Sequence, residues 1–75
     1  LCMSRELPSL TPKQVIKALE KIGFEFFRQK GSHKIYVKGA RQVIVPYHGK
    51  DLKKGTLHQI IKGTGLSLEE FRKYL

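Results

Sequence analysis

Cysteine occurs once in the 75 residues, tryptophan never, and acidic residues only six times. A single cysteine, Cys2, excludes an internal disulfide, and with three scattered histidines it makes no zinc-ligand set. No cofactor or metal is called for, and a reducing cytoplasm is the expected compartment. No purely apolar run exceeds a few residues, so no segment is expected to span a membrane. Arg5 and Glu6 interrupt the start, so nothing there reads as a signal peptide. Met3 reads as a natural start with Leu1 and Cys2 as a remnant ahead of it. Residues 1–7 then form an N-terminal segment before a core over 8–75. Repeats, low-complexity tracts and linkers are missing too, so residues 1–75 are expected to form one domain. A chain of this size buries only about 60% of the surface its unfolded form exposes. A hydrophobic content of 40% suits one modest core and is too high for a disordered tail.

What the chain has in excess is positive charge. Fifteen Lys and Arg give a formal net charge of +9 and a pI near 10.0. The excess is uneven. Arg28, Lys30, Lys34, Lys38, Arg41, Lys50, Lys53, Lys54 and Lys62 share their stretch with one acid, Asp51. Such a face attracts polyanions by displacing the counterions condensed on phosphates, which points to nucleic acid. An acidic protein partner fits the same charge, and a merely solvated surface is the plainest reading.

Local signals divide the chain into six elements. In "LTPKQVIKALEKIGF", Thr11 is a natural N-cap, Pro12 suits the first helical position, and Gln14 completes a capping box. Val15, Ile16, Leu19 and Ile22 share one face, and Gly23 suits the C-terminal cap. Three strands follow, "FEFFRQ", "HKIYVK" and "QVIVP", joined by short links at Gly31 and Gly39 that predict two hairpins. In the middle strand His33, Ile35 and Val37 point to one face, and Lys34, Tyr36 and Lys38 to the other. One face packs on helices while the other meets solvent or a ligand. A basic loop then leads into a helix beginning at Lys54 or Thr56, carrying Leu57, Ile60 and Ile61, and ending at Gly63 or Gly65. A second capping box, Ser67 to Glu70, opens a short last helix whose Leu68, Phe71 and Leu75 are expected to cover the core edge. The predicted order is α-β-β-β-α-α, an α+β domain with helices on one face of a three-stranded antiparallel sheet.

Three short motifs stand in fixed order: G-S-H-x-x-Y at Gly31 to Tyr36, V-P-x-H at Val45 to His48, and K-x-G-T-L at Lys53 to Leu57. With the surrounding residues 8–75, they resemble the HicA-type (YcfA-like) toxins of bacterial toxin–antitoxin pairs. The resemblance implies a double-stranded-RNA-binding-like fold and a messenger-RNA-cleaving endoribonuclease restrained by a HicB-type antitoxin. It also implies that the histidine of G-S-H, here His33, is catalytic. The link "VKGARQ" is shorter than the hairpin loops common in that family.

The residues support the same chemistry. RNA cleavage without a metal needs a group that takes the proton from a ribose 2′-hydroxyl, whose oxygen then attacks the adjacent phosphorus. Histidine, with a reference pKa of about 6.5, suits that step near neutral pH. Neighbouring cations favour its neutral, basic form and stabilise the extra charge of the transition state. The RNA-contacting candidates are Arg28, Lys30, Ser32, Lys34, Lys38, His48, Lys53 and Lys54. Ser32 equally reads as a turn residue, and His33 without its motif as a strand histidine bonded to its turn. His48 stands as either a partner acid or a binding residue, and His58 as a partly exposed helix residue. Lys53 and Lys54 precede a helix N-terminus, itself favourable to phosphate. Tyr36 and Tyr47 either stack on bases or pack on the sheet. A domain that grips double-stranded RNA without cleaving it, and a protein-interaction module, remain as alternatives.

Overall fold

A computed structural model describes residues 9–75; the N-terminal segment 1–7, with Cys2 and Met3, lies outside them. The elements run α1 (Pro12–Ile22), β1 (Glu25–Lys30), β2 (His33–Lys38), β3 (Arg41–Pro46), α2 (Lys54–Thr64) and α3 (Leu68–Arg72). This is the expected order, and it is that of a double-stranded-RNA-binding-like fold with an added C-terminal helix.

Both capping boxes form as their residues dictate. Thr11 and Gln14 exchange side-chain and backbone bonds at the start of α1, and Ser67 and Glu70 do the same for α3. Gly23 closes α1 at φ 120°, and Phe24 N–H then donates to the Leu19 carbonyl. Lys30 pairs with His33 and Lys38 with Arg41, so each hairpin turns through two residues, Gly31-Ser32 and Gly39-Ala40. The first residue of each turn has positive φ, 62° at Gly31 and 59° at Gly39, and among the described residues no non-glycine residue does. That pattern matches the type II′ turns whose twist suits antiparallel strands.

The sheet order is β1-β2-β3. Tyr36, Val43 and Val45 join Val15, Ile16 and Leu19 of α1 and Leu57, Ile60 and Ile61 of α2 in one core, with Phe24, Leu52 and Phe71 closing its margins. All helices therefore stand on one sheet face. A bulge between Phe26 and Arg28 breaks the β1–β2 register and leaves Phe27 sharing with Arg28 the place opposite Ile35. The opposite sheet face is open.

One glycine is required by close packing. Gly63 lies inside α2, where an added Cβ would stand 2.7 Å from Val43 Cγ1 and 3.4 Å from the Gln42 carbonyl oxygen. Overpacking of this kind costs about 1–3 kcal/mol, more than the ~1 kcal/mol that alanine gains over glycine in a helix. Gly63→Ala is therefore expected to lower the melting temperature by about 4–8 °C, roughly 1 kcal/mol in a domain of this size. An unchanged or raised melting temperature would show that Val43 yields without cost.

The C-terminus departs from expectation. Leu75 is 45% exposed, and Tyr74 packs against the core beside Leu68 and Phe71. The α-helix ends at Arg72, and Tyr74 N–H donates to the Phe71 carbonyl three residues back. That tighter turn aligns residues three apart, so Tyr74 takes the inward place that helical spacing gives Leu75.

Candidate functional site

The Gly31-Ser32 turn is fixed from both sides before it delivers His33. Gln29 Nε2 donates to the Gly31 carbonyl at 2.9 Å, and Tyr47 N–H donates to the Ser32 carbonyl at 2.6 Å. The second bond carries the β2–β3 pairing one step beyond Pro46, the register partner of His33. Ser32 thus serves the turn through its backbone. His33 is exposed at the first position of β2, with Lys30 across from it on β1.

The same end of the domain gathers the second motif and the third. Pro46 leads to His48, whose Nδ1 accepts a bond from the Lys50 N–H at 3.2 Å. In the neutral ring that leaves the proton on Nε2, as a donor. His48 lines two shallow concavities. One, of about 480 Å³, is formed with Thr11, Lys13 and Tyr47; the other, of about 350 Å³, with Pro46, Lys50, Asp51 and Lys53. His33 is among the lining residues of neither. Lys53 is the N-cap of α2, without a side-chain cap bond, and Lys54 is its first residue; no acid stands in the first turn. Cations there oppose the helix dipole and suit an incoming anion.

Alternation along β2 divides the sequence-predicted cations. Arg28 and Lys30 pair with Ile35 and His33 and stand on the open face with them. Lys34 and Lys38 lie on the helix side with Tyr36. Lys34 Nζ sits 3.8 Å from the centre of the Tyr47 ring, a cation–π contact. Lys38 Nζ donates to the Ile22 carbonyl at 3.0 Å, at the negative end of α1, and lies about 17 Å along the strand from His33. Lys38 is thus a cap, and Lys38→Met is expected to lower stability by about 0.5–1 kcal/mol. RNA affinity should stay nearly unchanged, and a several-fold loss in an RNA titration would contradict that assignment.

Of the remaining residues, His58 is exposed on α2. Tyr36 is buried, its ring edge-on to Phe26 with centroids 5.7 Å apart, and burial pushes its hydroxyl above the ordinary tyrosine range, with a smaller contribution from Glu20. It packs in the sheet and presents no ring for stacking. Sequence reasoning missed Phe27, 59% exposed at the bulge beside Arg28 and opposite Ile35. The signal was present in "FEFF", because consecutive aromatics in a strand cannot all face one core.

The arrangement puts an exposed imidazole on a rigid turn, with cations in register beside it and more at a helix start on the same end. It can take a proton from a bound polyanion and stabilise added negative charge. Among the described residues, no helix is long and apolar enough to cross a membrane. A family model described as the HicA toxin of bacterial toxin-antitoxin matches residues 12–66, well over half the chain. No curated protein sequence matches it.

Proposed function

The chain therefore belongs to the HicA toxin family, and from that membership we propose that it is a messenger-RNA-cleaving endoribonuclease held in check by a HicB-type antitoxin. His33 acts as the general base. It removes the proton from a ribose 2′-hydroxyl, the 2′-oxygen forms a bond to phosphorus, and the bond from phosphorus to the 5′-oxygen breaks. The products are a 2′,3′-cyclic phosphate and a 5′-hydroxyl, the leaving oxygen taking a proton from solvent and His33 returning its own to solvent. The reaction as written draws on no metal. Arg28 and Lys30 hold the strand beside His33, and Lys53, Lys54 and the Nε2–H of His48 engage phosphates beyond the scissile one.

The observation that carries this reading is the turn: one side-chain bond from Gln29 and one backbone bond from Tyr47 fix Gly31-Ser32 and present an exposed imidazole next to Lys30. Preorganisation of this kind is what a positioned base requires. The test is incubation of purified protein with end-labelled RNA, with and without chelator, followed by analysis of the new ends. Cyclic phosphate ends formed in chelator support the proposal. RNA binding without cleavage would make the domain a binding module and overturn it.

A further inference from the structure

The open face of the sheet carries apolar surface that the core does not use. Phe27 is 59% and Ile44 46% exposed, and both flank the half-buried Ile35. His33 lies on this same face, two residues before Ile35. Lys30 and Arg28 form a parallel row on β1, opposite His33 and Ile35 respectively. Each two-residue step, about 6.8 Å along the strand, thus repeats one cation beside one contact surface. The only acid in these strands, Glu25, lies at the far end opposite Val37.

We infer that this face is a platform for single-stranded RNA, with a base stacked on Phe27 next to the nucleotide presented to His33. The inference rests on the reading of His33 as the general base and adds the form of the substrate. Duplex RNA is gripped through phosphates and 2′-hydroxyls, with its bases stacked away from the protein, so exposed Phe27 and Ile44 would gain nothing from it. Unstacked bases do gain from an aromatic side chain, whatever their sequence. A single strand is also flexible enough to bring the 2′-oxygen in line with the bond that breaks. Charge complementarity selects the occupant: Arg28 and Lys30 border the apolar strip where a polyanion needs them.

The experiment measures binding, so it does not depend on cleavage. A short RNA bearing 2′-O-methyl riboses and one fluorescent purine analogue is titrated with the wild-type protein, Phe27→Ala and Phe27→Trp. The wild type is expected to quench the analogue. Phe27→Ala should weaken single-strand affinity about tenfold or more and remove the quenching, and Phe27→Trp should restore both. The same RNA annealed to its complement should bind more weakly and be indifferent to position 27. An affinity for Phe27→Ala within twofold of wild type would overturn the inference, as would equal dependence of the duplex on Phe27. It is overturned too if Phe27→Ala keeps its RNA affinity while losing self-association or antitoxin binding, which would assign the face to protein. Failure to cleave unmodified RNA, with this binding pattern intact, would count against His33 alone.

Discussion

Replacing His33 by Ala is expected to lower RNA cleavage by about 10²- to 10⁴-fold, the range lost when a general base is removed. Fold and RNA affinity should barely change. The side chain is exposed at the first residue of β2 and lies outside the core. The bonds that fix its turn run from Gln29 Nε2 and Tyr47 N–H to backbone carbonyls and survive the substitution. Surface changes of this sort stay within about 0.5 kcal/mol, a few degrees of melting temperature at this size. Arg28, Lys30, Lys53 and Lys54 remain to attract phosphate. Melting, binding and cleavage are best measured on the same preparation, with His33→Gln as a second variant that keeps hydrogen bonding but cannot exchange a proton near neutral pH. Cleavage within a few-fold of wild type by a folded His33→Ala protein would leave the histidine a structural role only.

The parts of this protein legible in its sequence are those fixed by chemistry within a few residues. The Thr11–Gln14 and Ser67–Glu70 boxes, Gly23 past α1, and the glycine-led turns at 31 and 39 each satisfy local backbone groups and appear as read. Which face of β2 turns inward is different. Taken alone, Ile35 and Val37 form the apolar side of that strand, yet the buried side carries Tyr36 between two lysines. Lys34 reaches the face of Tyr47 and Lys38 the end of α1, so both charges find partners on the helix side. Both partners are remote in sequence or set by pairing, so no local pattern reveals them. The bulge at Phe27 has the same origin, since register is a property of two strands together. For the site, the motif order led to His33 and its turn, but not to the separation of the cations by face or to Phe27. Leu75 shows the limit of extrapolating a helical period past the last helical hydrogen bond.

The second large effect is electrostatic. Five cations stand near the His33 end or on its face: Arg28, Lys30, Lys50, Lys53 and Lys54. If each meets one phosphate, log affinity for single-stranded RNA should fall with log salt at a slope of about −3.5, a loss of roughly a hundredfold from 50 to 200 mM. Lys53→Ala combined with Lys54→Ala should reduce the slope to about −2.1 and the loss over that range to roughly twentyfold. The weakening should be similar for every RNA sequence, because phosphate contacts position the strand without reading it. Stability should move the other way. Two cations at the N-terminus of α2 oppose its dipole, no acid stands in its first turn, and Lys53 makes no side-chain cap bond. Relieving each is worth about 0.3–1 kcal/mol, so the double variant should melt a few degrees higher while binding less well. A residue kept for folding gives the reverse sign. A double variant that keeps the wild-type salt slope would remove the α2 N-terminus from the RNA-binding surface and leave Arg28, Lys30 and Lys50 to carry it; one that melts lower would assign the two lysines to the fold.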